Sequence, residues 1–461
     1  MVVLLKRRRR RRFIIPEKKF TLSSDKFRRQ THRTSRVLEY FSEKEIQMQI
    51  GVTRKFWPIA IVKELIDNAL DACEDANILP RIEVSIDDAE ICIKDNGPGL
   101  PRKTVEESLD FLYRVSDKSH YVSPSRGQLG NALKTIYAIP FIVNGSGGVD
   151  IATNEGTHRI EFSLNLLNQS PEVKYNLDTG AFIKSGTNFK VRLDLQACLK
   201  EGETIDSYKR DVFELVRNYA LFNPHASFIY AGWRGGFSFE RTSNEINKWC
   251  PSDKIPIYWY SEERLRNLIA ANIYAEAHGG RVRTVREFIS EFRGYTSPKK
   301  QQMITNSGNL HLKKGTYLNE FVKDNDVDMD RVKQLLKEMT LLGDRILKPR
   351  ALGKVGEEHI KSWMVNDGVV PASINYQLKY GEQDDLPYAL EVGFGIFEDK
   401  QSRREIITGL NWAPTLKDPL AMIQGQTTEA LIDEDDPVLL VIHLVYPQFK
   451  FTGKGKGEIE L

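Results

Sequence analysis

The sequence predicts an α+β chain with helices packed on one face of a mixed sheet, and three observations carry that prediction. A helix with a continuous apolar stripe runs on from Trp57-Pro58. Two short alternating strands follow at Ile82–Ile86 and Ile91–Ile93, across an Asp-Asp-Ala turn. Further strand patterns recur at Val149–Thr153, His158–Leu164 and Thr187–Leu193. Helices combined with a separate run of hairpin-linked strands bury their apolar faces as a two-layer sandwich.

The elements follow in order. Residues 1–36 hold fourteen Lys and Arg against Glu17 and Asp25, a net of +12, and read as a basic, disordered arm. Pro58 falls in the first turn of its helix, where its missing N–H leaves no bond unmade. Val62, Leu65, Ile66, Ala69, Leu70 and Cys73 then recur at the spacing of one buried helical face. After about Arg241 the composition changes. Glu262–Glu276, Thr284–Phe292, Tyr317–Lys323 and Asp330–Leu342 each carry a helical stripe, with breaks at Gly279-Gly280, Ser297-Pro298 and Gly343. Strand patterns return at Tyr388–Phe397 and Val438–Tyr446, bracketing a helix-like Pro419–Gln424. The expected division is the arm at 1–36, a sandwich domain at 37–245, a helical domain at 246–370 and a second α/β domain at 371–461.

At 461 residues the chain is long enough for two to four domains, and 41% hydrophobic with 28% charged residues suits a globular protein in water. No apolar run approaches the ~20 residues of a membrane span. The opening MVVLL precedes the charge of Lys6 and six arginines, the wrong order for a secretory signal. No membrane association and a cytoplasmic, nucleoid-associated location are expected. Cys73, Cys92, Cys198 and Cys250 lie far apart without a CxxC pair, which argues against a zinc site or a disulfide framework. The whole chain carries +3, so the residues beyond the arm carry −9. Such an arm suits the phosphates of double-stranded DNA, because neutralising them releases counterions. The alternatives are a disordered, solvated tail or a misassigned start codon.

Four short stretches carry chemistry. In ELIDNALDA, Glu64 and Asn68 stand four apart and share a helical face, continued by Asp71 and Asp75. In DNGPG, Asp95 ends an apolar strand, while Gly97 and Gly99 permit a sharp turn and a close backbone approach. Arg126-Gly127-Gln128-Leu129-Gly130 precedes the helical run Ala132–Ala138, whose N-terminus favours an anion. Thr187 follows Ser185-Gly186 and opens a strand. Each has a bland reading when taken alone: a solvated helix face, a turn, a loop, a strand junction.

In this order and at these separations the four stretches resemble the GHKL ATPases: gyrase B, MutL-type repair proteins, ninety-kilodalton chaperones and sensor histidine kinases. The resemblance implies a Bergerat-type α/β sandwich that binds ATP and Mg2+. Glu64 would be the base that orients water, and Asn68 the oxygen ligand of magnesium. Asp95 would accept from the adenine amine, with Gly97 and Gly99 beside it. Arg126, Gly127, Gln128, Gly130 and Asn131 would form the phosphate loop, Lys134 would add a phosphate contact, and the Thr187 hydroxyl would support the adenine end. Within the superfamily, the B subunit of type IIB topoisomerases (topoisomerase VI) is the more particular resemblance. Leu112-Tyr113 through Ser116, Lys118 and His120 to Ser125-Arg126-Gly127-Gln128 looks like its ATP lid, placing Lys118 at the cofactor. Leu347-Lys348-Pro349 to Val355-Gly356-Glu357-Glu358-His359-Ile360 resembles the end of its helix-two-turn-helix insert. Asn411-Trp412-Ala413-Pro414 and Phe451-Thr452-Gly453-Lys454-Gly455-Lys456 resemble its transducer, and the FTxxGK pattern gives Lys456 the part of the switch lysine at the γ-phosphate.

The resemblance implies an ATPase that forms a homodimer on binding ATP and passes double-stranded DNA with an A-type cleavage subunit, since nothing here supplies cleavage chemistry. Two departures are visible. The family's phosphate loop usually has a glycine near Ala132, and its transducer continues well past the switch lysine, whereas this chain stops five residues after Lys456. The expectation is either a truncated sequence or a different coupling to the partner. Two other readings stay open: a GHKL clamp acting on DNA or in signalling without topoisomerase activity, and a binding module with a decayed ATP site.

Overall fold

The computed structural model describes residues 37–111, 120–126, 132–165, 170–199, 202–307, 310, 312–343, 347–402, 404–416, 433, 435–451 and 459–460. Two short helices, α1 (Val37–Tyr40) and α2 (Glu43–Ile50), lead into α3 (Trp57–Asp75). Pro58 lies in the first turn of α3, and Val62, Leu65, Ile66, Ala69, Leu70 and Cys73 are all buried. Strands β1 (Arg81–Ile86) and β2 (Glu90–Lys94) form an antiparallel hairpin. Its alternate residues Ile82, Val84, Ile86, Ile91 and Ile93 are buried together. Helices α4 (Arg102–Ser108) and α5 (Ala132–Asn144) precede the meander β3 (Gly147–Thr153), β4 (Gly156–Asn165) and β5 (Ser170–Asp178). Strand β6 (Asn188–Arg192) returns to the centre of the sheet. Helix α6 (Ile205–Phe222), capped by the Thr204 hydroxyl, leads to β7 (Ser227–Ala231) and β8 (Gly236–Phe239).

The sheet order is β5-β4-β3-β6-β2-β1-β7-β8, antiparallel at every pairing except β1 with β7. Helix α3 packs beside α5 and α6 and touches β1 and β2, while α5 lies against β3 and α6 against β7. The α+β sandwich expected from the sequence is therefore the fold, and α3 runs through the middle of its helical layer.

The second half opens with α7 (Glu262–Ala277), α8 (Val285–Glu291) and α9 (Pro298–Asn306). Tyr317–Lys323 is not the helix that its spacing suggests. It is a 3-10 turn over Leu318–Phe321, followed by a small hairpin of β9 (Val322–Lys323) and β10 (Asp326–Val327). The turn at Asp324 and Asn325, both with positive φ, stops the segment after about one turn, too short to repay helix nucleation. Leu318 and Phe321 bury the same stripe at 3-10 spacing instead. Helices α10 (Met329–Leu341) and α11 (Glu357–Asn366) complete this segment.

A second sheet follows, of β11 (Asn375–Gln383), β12 (Leu386–Ile396), β13 (Glu405–Leu410), β14 (Ala413–Pro414) and β15 (Val438–Val445). Its order is β11-β12-β15-β13-β14, with β13 and β15 parallel. Pro419–Gln424, expected to be helical, lies outside the described residues. One apolar core joins the helical segment to this sheet, through Trp249, Leu265, Phe288, Leu335, Ile360 and Val441. A separate core fills the first sandwich. The two halves meet at the end of α6, where the Phe222 ring stacks on His443 of β15. A Cβ at Gly409 would lie 2.8 Å from that ring, so only glycine lets β13 approach so closely. Among the described residues, no helix is long and apolar enough to cross a membrane.

Candidate functional site

Helix α3 presents Glu64, half-buried, and Asn68, exposed, one turn apart. Glu64 makes no hydrogen bond with any described residue, which leaves its carboxylate open to a ligand or water. The rest of the polar face differs from the solvated stripe its spacing suggests. Asp67 and Asp71 are buried, and so is Glu74 behind them. Asp67 accepts from Lys63 at 2.7 Å and from the Tyr219 hydroxyl at 2.6 Å. Polar residues on α3 thus divide into an open pair and a buried ionic set, and α6 covers the latter.

Asp95 lies just past β2 and is buried. Its Oδ1 accepts the backbone N–H of Gly97 at 2.8 Å and of Thr187 at 3.1 Å. Burial pushes its carboxyl above the ordinary value, against these hydrogen bonds, which favour the charged form. No cation forms an ion pair with it among the described residues. Asn96, next along, ties the turn down by accepting from Arg81 N at 2.7 Å and donating to the Leu79 carbonyl at 3.1 Å. Gly186 closes the turn from the other side. With φ at +79° and a would-be Cβ 1.9 Å from the Asp95 carbonyl oxygen, this position excludes every other residue. Gly97 lies against Cys73 of α3, and Gly99 has φ at +90°. Thr187 supports Asp95 through its backbone as well as its hydroxyl, since its carbonyl also accepts the Asp95 N–H at 3.0 Å.

Arg126 is fully enclosed. Its guanidinium donates to Asp71 at 2.8 Å, to both oxygens of Glu74 at 2.8 and 3.0 Å, and to Asn223 Oδ1 at 2.5 Å. Glu74 also accepts from His225 Nε2 at 2.8 Å and Lys248 Nζ at 2.7 Å. Burial alone would raise the Glu74 carboxyl, but Arg126 and Lys248 outweigh it and hold that group well below the carboxylate range. The Arg126 side chain, expected at the phosphates, therefore points into the protein. Lys134 is likewise buried, with its ammonium on the Asp110 carbonyl and beside the Phe111 ring. Lys118, Gly127, Gln128, Gly130, Asn131 and Lys456 lie outside the described residues. A groove of about 370 Å³ is lined by Tyr121, Ser123, Ser125 and residues 251–255, without Glu64, Asn68 or Asp95, and is distinct from this site.

Asn223, His225, Lys248 and Trp412 are not legible in the sequence as site residues. Glu74, the partner of His225 and Lys248, is 151 and 174 residues from them, and Asn223 is 97 residues from Arg126 and 189 from Trp412, so no local spacing marks them.

The sandwich thus sets Glu64 and Asn68 on its central helix α3 and the buried Asp95 just past the end of β2. Residues 56–196 match the family described as "Histidine kinase-, DNA gyrase B-, and HSP90-like ATPase". Over longer stretches the chain is similar to the B subunits of archaeal type 2 DNA topoisomerase 6. The Archaeoglobus fulgidus protein is 30% identical over 223 residues, 47% of this chain and 36% of that one. Those of Methanococcoides burtonii and Thermococcus onnurineus are each 24% identical, covering 87% and 92% of this chain and 64% and 82% of theirs. The chain thus spans between about a third and four fifths of these relatives' lengths. The solved ATPase domain of Thermus thermophilus gyrase B is 13% identical, covering 92% of this chain and 85% of that one, at a TM-score of 0.36, too slight a likeness to carry an argument.

Proposed function

We propose that this chain is the ATP-binding and hydrolysing subunit of a type IIB, topoisomerase VI-like DNA topoisomerase, acting on double-stranded DNA with a separate cleavage subunit and dimerising on ATP. The observation that carries the nucleotide reading is Asp95, a buried carboxylate held by two backbone N–H groups and matched by no cation among the described residues. A buried carboxylate without a countercharge is expensive to keep in a fold, and an adenine amine is a further donor that would compensate it. Glu64 orients the attacking water, being the open carboxylate on α3. Asn68 offers a hard amide oxygen suited to Mg2+, which would neutralise phosphate charge when bound. Gly127, Gln128, Gly130 and Asn131 follow Arg126 as the phosphate loop, with Lys118 in the lid and Lys456 at the γ-phosphate. The boundaries 37–245, 246–370 and 371–461 then separate the ATPase, helical and transducer domains.

The test pairs binding with turnover. Glu64→Gln should bind a fluorescent ATP analogue normally and lose about 10²- to 10⁴-fold in turnover. Asn68→Ala should weaken magnesium-nucleotide binding itself. Glu64→Gln hydrolysing at the parental rate would remove the proposed base, and a parent that binds no nucleotide would remove the reading.

A further inference from the structure

The hairpin turn between β13 and β14 brings Asn411 and Trp412, both at positive φ, into the seam between the two halves. Trp412 is buried, and it touches both sides of that seam. Its carbonyl accepts from Asn223 Nδ2 at 2.9 Å, and the Lys248 ammonium sits 4.5 Å from the centre of its ring. Asn223 and Lys248 are the same groups that hold Arg126 and Glu74. Asn411 meanwhile donates to the Ser125 carbonyl at 3.5 Å, one residue before Arg126.

On its other side, Trp412 donates its backbone N–H to His443 Nε2 at 3.3 Å. His443 is therefore protonated at Nδ1, which donates to Glu391 at 2.8 Å. Glu391 is buried and also takes the N–H groups of Val355 and Gly356 and the Tyr376 hydroxyl, each at 2.8 Å. A run of hydrogen-bonded, mostly buried polar groups thus links the start of α11 to the second sheet, and through Trp412 to Arg126. In such a network each group's position depends on its neighbours, because leaving any one of them unpaired in the interior is costly.

We propose that Trp412 is a positioning residue for nucleotide binding: through Lys248 and Asn223 it sets the Glu74–Arg126 pair, and hence the seat of α3, which carries Glu64 and Asn68. The second sheet then tunes nucleotide binding through this turn, independently of any lysine that reaches the γ-phosphate. This rests on the ATPase reading, but the arrangement itself can be probed without nucleotide.

The experiment compares Trp412→Leu, which stays apolar but loses the ring face over Lys248, with Trp412→Phe, which retains a ring. In the full chain, Trp412→Leu should raise KM for ATP by about tenfold or more with a smaller change in kcat, since losing binding shared by the ground and transition states raises KM. Trp412→Phe should restore KM to within about twofold. A purely structural residue would lower the active fraction and leave KM unchanged, and that result, or equal KM values for the Leu and Phe variants, overturns the proposal. Should Trp412→Leu fail to fold, Lys248→Gln asks the same question, with a raised KM supporting the proposal and an unchanged one refuting it. Hydrogen exchange without nucleotide separates this claim from the ATPase reading. Trp412→Leu should lose protection at residues 122–126 while β1 and β2 keep theirs, and unchanged protection at 122–126 overturns the proposal even if the parent proves to have no ATPase activity.

Discussion

Asp95 and Glu74 are both buried carboxylates, and their surroundings give them opposite responses to acid. Burial raises the Asp95 carboxyl above its ordinary 3.8, with no cation to offset it. The fold therefore favours its protonated form, and holding it charged at neutral pH works against stability. Asp95→Asn should accordingly match or exceed the parent in Tm at pH 7 while weakening nucleotide affinity about tenfold or more. A large loss of Tm would show that the charge serves the fold rather than a ligand. Burial also acts to raise Glu74, but Arg126 and Lys248 hold it well below its ordinary 4.5. Its contribution is then fully present above 4.5 and is lost as pH falls through the lower, folded-state value. Glu74→Gln should cost about 3–5 kcal/mol at pH 7 by leaving Arg126 and Lys248 short of a partner. Denaturant titrations of both proteins should converge only below pH 4.5, and a gap that persists unchanged into acid would contradict the assignment.

At the scale of elements, the turn after β2 and the strand β6 are locked together by Gly186. A methyl group there meets the Asp95 carbonyl at 1.9 Å and adds the strain of φ at +79°. Gly186→Ala should destabilise the protein by about 1–3 kcal/mol and weaken nucleotide binding, read by thermal unfolding with and without ADP. An unaltered ADP-induced shift would separate this turn from the nucleotide site. What is legible in the sequence follows from the same locality. The apolar stripe of α3, the β1–β2 hairpin and the Asp95 turn are written in contiguous residues, and each forms as its spacing predicts. The stripe at Tyr317–Lys323 misleads because Leu318 and Phe321 satisfy helical and 3-10 spacing alike, and only the turn at Asp324-Asn325 decides between them. The polar face of α3 reads as solvated because nothing near it announces Arg126, 52 residues from Glu74, or Lys248, 174 away. Spacing shows which residues share a face, and only the tertiary fold shows what covers that face.

At the scale of the molecule, two halves with separate cores meet at Phe222, Gly409 and Trp412. The basic residues 1–36 are proposed to bind the phosphates of DNA. Deleting residues 1–34 should lower DNA affinity and flatten its salt dependence by ~0.9 in the log–log slope per lost phosphate contact, while sparing DNA-free ATPase activity. An unchanged slope would remove the arm from DNA binding. The central claim is that ATP closes two of these chains into a clamp, and sedimentation of the full chain reads this most directly. A ligand that favours the dimer shifts that equilibrium only by its differential binding. The chain should sediment largely as a monomer without nucleotide and as a dimer with a non-hydrolysable ATP analogue and magnesium, and Lys456→Ala should abolish the shift while retaining ADP binding. Identical sedimentation of the parent with and without the analogue would contradict the clamp.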